Sequence, residues 1–310
     1  MNLRLSTAPH IRNSESTATL MMNVIIALTP CAIAGIYNFG VSAAIVLVVA
    51  TGSAVMFEYL YQVIARRPVR VNDLSALVTG LILGLNLPPT APWWMVMVGS
   101  LVAIVLVKEL FGGIGDNFMN PALTARAVLL SSWPVYMTSF VAPTRWAAGV
   151  DAVASATPLT GVQTPVMDLM LGNIPGSIGE VSKIMILLGL AYLLITRTIR
   201  WHVPVVMVAT TFVATWAFGG DPVSAVLSGG LLFGAVYMAT DYTTTPMTRP
   251  GNIIFAVGAG LIVAIIRKFG SYPEGVTYAI LLMNVATPLI DKYVRPRVYG
   301  HPRKEAKRNG

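Results

Sequence analysis

The chain is a succession of apolar runs, with its charges confined largely to the gaps between them. Residues 18–38 hold no charged side chain, and residues 41–64 hold one, Glu58. A helix needs about 20 apolar residues to cross the hydrocarbon core of a bilayer, fewer where it is broken or re-entrant. Such runs fall at 18–38, 41–64, 74–90, 93–111, 120–134, 182–196, 203–218, 222–240, 252–268 and 274–292. The third and fifth are short, interrupted by Gly or opened by Pro. Of the 310 residues, 55% are hydrophobic and 11% charged, against roughly 25% charged in a soluble globular chain. That is too few charges to face water everywhere. The sequence predicts an all-α, polytopic integral membrane protein of about ten transmembrane helices. No basic stretch followed by a small-residue cleavage site precedes the first run, so no removable signal peptide is expected.

Basic residues give a sidedness. With the start of the chain inside and ten spans alternating, Arg4, Arg12, Arg66, Arg67, Arg70, Lys108, Arg197, Arg200, Arg249 and the seven basic residues from Lys292 to Arg308 fall inside. Arg145, Lys183, Arg267 and Lys268 fall outside, and Arg126 lies within a span. Cytoplasmic loops carry the excess of Lys and Arg, so both termini are expected inside and the long connection outside. The expected units are a first membrane half (1–134), an extracytoplasmic loop (135–181), a second membrane half (182–292) and a basic cytoplasmic tail (293–310). Five spans on each side of the loop make the second half inverted relative to the first. Two weak echoes fit that symmetry: Leu77-x-x-Gly80-Leu81-x-x-Gly84 with Leu227-x-x-Gly230-Leu231-x-x-Gly234, and Met119-Asn120-Pro121-Ala122 with Met283-Asn284-Val285-Ala286. The Gly-xxx-Gly pairs also serve close helix packing without any function.

Several chemistries are excluded. The net charge of +8 is explained by topology and by a tail lying on anionic lipid, so no nucleic-acid partner is expected. One cysteine, Cys31, cannot hold an iron–sulfur cluster alone. His10, His202 and His301 fall in polar segments, which excludes a haem ligated by two histidines within the membrane. Gly112-Gly113-Ile114-Gly115 lacks the spacing and preceding strand of a dinucleotide fingerprint.

The loop segment from Asp151 to Leu159 carries the most information. Thr157 followed by Pro158 reads as a helix N-cap and first helical residue. The same geometry suits a phosphate esterified to Thr157, its oxygens near the free N–H groups of the next turn. Asp151-x-x-x-x-Ala156-Thr157 resembles the site at which a flavin transferase joins FMN to threonine through a phosphoester. That site occurs in the D subunit of the Rnf complex and in its homologue, the B subunit of the sodium-translocating NADH:quinone reductase. Ala154 and Ser155 stand where that motif usually has Ser or Thr, then Gly. The resemblance extends through Asp73-Leu74-Ser75-Ala76-Leu77-Val78-Thr79-Gly80 with Leu87-Pro88-Pro89, through Gly112 to Ala122, and through Met238 to Thr248.

The resemblance implies a membrane subunit of an ion-translocating ferredoxin:NAD⁺ oxidoreductase complex in the prokaryotic cytoplasmic membrane. It implies covalent FMN on Thr157, with Asp151, Ser155 and Ala156 in the attachment motif, and non-covalent riboflavin in the membrane domain. Implied partners are the other Rnf subunits, among them a second FMN-carrying subunit on the outer side, together with the flavin transferase and Na⁺ or H⁺. Asn117, Asn120, Arg126, Thr240 and Asp241 are the polar groups expected near riboflavin. Asn120-Pro121 also reads as an ordinary N-cap and N1 pair.

Ionisable groups in lipid are costly and usually have a partner or a function. Glu58 and Glu109 are therefore candidates for an ion path, or else reach the inner interface; Arg126 is a candidate partner for a carboxylate. The rival reading is a channel or transporter without redox chemistry. It predicts a repeated Asn-Pro-Ala, but the second copy reads Asn284-Val285-Ala286, and it leaves the loop motif without purpose. A lipid-modifying enzyme would need a His, Asp or Ser cluster at one interface, which the sequence lacks.

Overall fold

The computed structural model describes residues 16–143, 164–270 and 275–295. Asp151, Ser155, Ala156 and Thr157 lie outside the described residues. The regular elements are helical: α1 Thr17–Phe39, α2 Val41–Ile64, α3 Ser75–Leu85, α4 Trp93–Leu101, α5 Pro121–Ser132, α6 Pro134–Thr138, α7 Val166–Leu171, α8 Lys183–Ile195, α9 His202–Ala217, α10 Pro222–Leu227, α11 Leu231–Phe233, α12 Arg249–Phe269 and α13 Val276–Tyr293. α4 runs on into a π-helical segment, Val102–Glu109, and α11 into another, Gly234–Met238.

Local chemistry sets the ends. Ser16 caps α1 by accepting from Thr19 N. Gly40, at φ 71°, closes α1 through its N–H to Ile36 O and opens α2 at once. That left-handed conformation suits a residue without a Cβ, and it folds the two longest helices into a hairpin. Asn120 caps α5, its side chain accepting from Leu123 N at 3.2 Å, with Pro121 in the first turn.

The expectation of about ten transmembrane helices in two inverted five-helix halves does not hold. Among the described residues, three helices are long and apolar enough to cross a membrane: α1, α2 and α12. Three shorter apolar helices, α3, α8 and α9, accompany them. The reason is continuity, which apolar content does not measure. The run 74–90 holds an 11-residue helix that ends before Leu87-Pro88-Pro89. The run 222–240 is split at Ser228-Gly229-Gly230 into α10, α11 and a π-helical turn.

Leu28, Leu83, Leu129, Ile186, Met207, Phe255 and Ile280 belong to one core. Helices approach closely where glycine permits it. A Cβ on Gly80 would meet Ala50 O at 2.7 Å and Ala54 Cβ at 2.8 Å, so α3 packs backbone to backbone on α2. Gly84 continues that stripe against Ala50 and Leu47. The second echo behaves differently: Gly230 faces the Glu180 carboxylate and Gly234 faces Val276. The surface is apolar and the interior holds charges. Ile33, Val48, Leu188, Val213 and Val285 are exposed, whereas Glu58, Lys108, Glu109, Arg126 and Lys183 are buried. This polarity is that of a protein solvated by lipid.

Candidate functional site

Broken helices converge at one end of the bundle and enclose a cavity of about 350 Å³. Its apolar wall comes from the start of α1 (Leu20, Met21, Val24), from Val78 and Ile82 of α3, and from Leu193, Ile199 and Val236. Polar groups enter from the breaks: Ser75, Lys108, Asn117, Asn120, Thr240, Asp241 and Thr243. Apolar walls with a few convergent polar groups, in a space of about 300–1,000 Å³, are the usual make-up of a small-molecule site.

Each polar group is held by local structure. Asn117 donates from Nδ2 to Met119 O at 3.2 Å. Asn120 is fixed as the cap of α5, and its N–H donates to the Asn284 side-chain oxygen at 3.1 Å in the amide orientation that satisfies both groups. Asp241 follows the π-helical turn. Its Oδ2 accepts from Thr243 Oγ1 at 3.3 Å and Thr244 Oγ1 at 3.1 Å, while its backbone O accepts from Thr245 Oγ1 at 2.6 Å. Burial pushes the half-buried Asp241 carboxyl above its usual range, opposed by the hydrogen bonds from Thr244, Thr243 and Tyr242.

A second cavity, of about 310 Å³, adjoins the first and is lined by Glu58, Gln62, Arg67, Arg70, Asp73, Lys108, Glu109, Asp116 and neighbouring residues. Glu58 and Glu109 are 1% and 3% exposed, and both are partnered inside the bundle. Lys108 Nζ pairs with Glu58 Oε2 at 2.5 Å and donates to Ser75 Oγ at 2.6 Å. Gln62 Nε2 donates to Glu58 Oε1 at 3.4 Å and to Glu109 Oε1 at 3.3 Å. Asp73 Oδ1 accepts from both the N–H and the hydroxyl of Ser75, at 2.8 and 2.5 Å. Between them, Leu74 takes a left-handed backbone, φ 65°. For a residue with a branched side chain this costs about 1–3 kcal/mol and persists only where its surroundings over-determine it.

Of the residues that sequence reasoning set near riboflavin, Asn117, Asn120, Thr240 and Asp241 meet at the first cavity. Arg126 does not. It lies deeper, on α5, donating to Asn86 Oδ1 and Thr277 Oγ1, both at 3.4 Å. The cation beside Glu58 is Lys108, which sequence reasoning used only for topology. A lysine next to Glu109 inside the run 93–111 was the available signal, since ionisable groups there need partners. Asp73, Ser75 and Asn284 stand in motifs noted in the sequence but carried no assigned contact there, and no local spacing marks Gln62.

The NQR2, RnfD, RnfE family model matches residues 4–300 of this sequence. The chain belongs to that family. It is 47% identical to the D subunit of the Na(+)-translocating ferredoxin:NAD(+) oxidoreductase complex of Acetobacterium woodii, over 99% of each chain. It is 45% identical to the D subunit of the proton-translocating ferredoxin:NAD(+) oxidoreductase complex of Clostridium ljungdahlii, over 96% of each. Against the D subunit of the ion-translocating oxidoreductase complex of Halorhodospira halophila it is 38% identical, again over 96% of each.

Proposed function

We propose that this chain is the flavin-carrying membrane subunit of an ion-translocating ferredoxin:NAD⁺ oxidoreductase complex. The observation that carries the reading is end-to-end identity of 47% and 45% to two subunits bearing that activity in their names. The chain sits in the prokaryotic cytoplasmic membrane as a multi-pass protein, beside the other subunits of the complex. Ferredoxin and NAD⁺ sites belong to those subunits, since no motif for either occurs here.

Covalent FMN is assigned to Thr157, within the Asp151, Ser155 and Ala156 motif, after action of a flavin transferase. Riboflavin is assigned to the 350 Å³ cavity. The fit rests on its residues: apolar walls from α1 and α3 suit a ring system, and Asn117, Thr240 and Asp241 suit its polar edge and chain. Bound there, the flavin supplies the redox chemistry, and the protein supplies position and electrostatics. Arg126, which is off the cavity, is left to hold α5 against α3 and α13.

The neighbouring polar cavity, with Glu58 and Glu109, is assigned to the cation path. The Acetobacterium and Clostridium relatives are named for different ions at nearly equal identity, so overall likeness does not choose between Na⁺ and H⁺. Sidedness follows charge. Arg67 and Arg70 line the polar cavity, and Arg197 and Arg200 line another that shares Thr240 and Tyr242 with the flavin cavity. One basic end of the bundle is thereby the cytoplasmic end. Trp94, stacked edge-on against Trp133 at 5.4 Å and Tyr136 at 6.1 Å, marks the opposite interface, which aromatic residues favour. The loop 135–181 and a second FMN-carrying partner subunit belong on that outer side.

A denaturing gel viewed under ultraviolet light tests the covalent assignment. Protein matured with a flavin transferase is expected to give a fluorescent band that Thr157→Ala abolishes. A dark wild-type band would overturn it. Flavin released by denaturing the Thr157→Ala protein reports the second site separately.

A further inference from the structure

Lys108 stands in the wall between the two cavities and, with Ile114, lines both. Its side chain is 4% exposed. On the polar side its ammonium holds Glu58 Oε2 at 2.5 Å; toward the first cavity it donates to Ser75 Oγ at 2.6 Å. Ser75 lines the first cavity and passes its own hydrogen to Asp73 Oδ1. Gln62, donating to both Glu58 and Glu109, makes those carboxylates one buried unit.

The charges around the polar cavity are the carboxylates of Glu58, Asp73, Glu109 and Asp116 and the cations of Lys108, Arg67 and Arg70. Arg67, Arg70 and Asp116 are exposed and Asp73 is half-buried, so solvent screens much of their field. Lys108 is the buried cation of the set. A charge away from water acts several-fold more strongly on its neighbours than an exposed one. A lysine can also serve two sides at once, because it is a point charge with three rotatable donors on a flexible stem.

We propose that Lys108 is the electrostatic link between the cavities, a positioning residue that divides its attraction between the Glu58–Glu109 unit and negative charge in the first cavity. The inference rests on the reading of the first cavity as the riboflavin site. When a reduced carrier on a partner subunit gives up one electron, the carrier is oxidised by one electron and one negative charge is added beside Lys108. Lys108 then neutralises Glu58 less, and the carboxylate unit holds a cation more tightly. Conversely, a cation beside Glu58 releases Lys108 to stabilise added charge in the first cavity. The two effects are equal in free energy because binding linkage is reciprocal. Neither electron nor cation needs to cross the Lys108 wall.

The test is a double-mutant cycle read as a potential. Complexes carrying Thr157→Ala, which removes the covalent flavin of this subunit, are titrated spectroelectrochemically for the non-covalent flavin. The added substitutions are Lys108→Met, Glu58→Gln or both. Lys108→Met is expected to make reduction at least tenfold less favourable, about 59 mV for a one-electron couple. Glu58→Gln is expected to make it at least tenfold more favourable, and the double variant is expected to match Lys108→Met. If Lys108→Met fails to assemble, the double variant against Glu58→Gln decides the same point, with a fall of about a hundredfold or more expected. Equal potentials in all flavin-bearing proteins, or a Glu58→Gln shift that persists without Lys108, overturn the link while leaving the flavin site standing. Absence of releasable flavin from the parent Thr157→Ala complex overturns the site and the link together.

Discussion

Asn120 and Asn284 are hydrogen-bonded across the bundle, Asn120 N–H donating to the Asn284 side-chain oxygen at 3.1 Å. The Asn284 amide then donates to Thr244 O at 3.2 Å, and Thr287 Oγ1 donates to the same carbonyl at 3.0 Å. One side chain on α13 therefore ties the head of α5 to the threonine-rich segment after the π-helical turn. These are two of the breaks that open onto the cavity. The Asn-containing motifs that echo each other in sequence meet in space.

Asn284→Ala strands a buried N–H and loosens both breaks. Leaving a buried polar group unsatisfied costs about 1–3 kcal/mol. Thermal unfolding in detergent is expected to show that loss, and flavin released on denaturation is expected to fall. Fluorescence on a denaturing gel is expected to remain, since Thr157 is untouched. Unchanged unfolding would mean that water replaces the amide.

The Lys108–Glu58 pair is expected to behave as buried pairs do. Removing one partner strands a charge and costs about 3–5 kcal/mol, whereas removing both is often neutral. Lys108→Met and Glu58→Gln are each expected to lower the unfolding midpoint strongly, and the double variant to recover most of it. Additive losses in the double variant would contradict the pairing.

Two helical glycines separate packing from propensity. Gly80→Ala places a Cβ 2.7 Å from Ala50 O, and overpacking of this kind costs about 1–3 kcal/mol. At Gly52 a Cβ meets nothing within 4 Å, so Gly52→Ala is expected to stabilise α2 by about 0.5–1 kcal/mol. Unfolding midpoints of the two variants should move in opposite directions.

Asp241 gives a pH dependence with a defined sign. Its carboxyl is raised by burial, so the folded state holds that proton more tightly than the unfolded chain does. Its favourable contribution is complete below the unfolded value and is lost as pH rises through the folded one. Asp241→Asn keeps the side chain neutral throughout. The unfolding midpoint of the variant, relative to wild type, is expected to rise as pH climbs from the ordinary carboxylate range through the raised folded value. A difference that stays flat or falls would show that the threonine donors outweigh burial.

Features governed by near neighbours were legible before the structure. The Asn120–Pro121 cap, the close glycine stripe at Gly80 and Gly84, and the lipid-facing character of the chain all follow from side chains within a turn or two. Asn117, Asn120, Thr240 and Asp241, named in the sequence from the resemblance, line one cavity because they sit at or just beside the ends of apolar runs. The span count was misread because hydropathy sums apolar character, while a helix also needs an unbroken ladder of backbone hydrogen bonds. Pro88-Pro89 and Ser228-Gly229-Gly230 interrupt that ladder without making the runs polar.

The sequence by itself determined that the chain is helical, lipid-solvated and a member of its family, because composition and motif are properties of order along the chain. Tertiary structure alone decided which charges are neighbours. Lys108 lies 50 residues from Glu58 and Asn120 more than three times as far from Asn284, separations across which no local pattern operates. Packing brings them together because a charge or an amide removed from water must be matched wherever the fold can supply a partner.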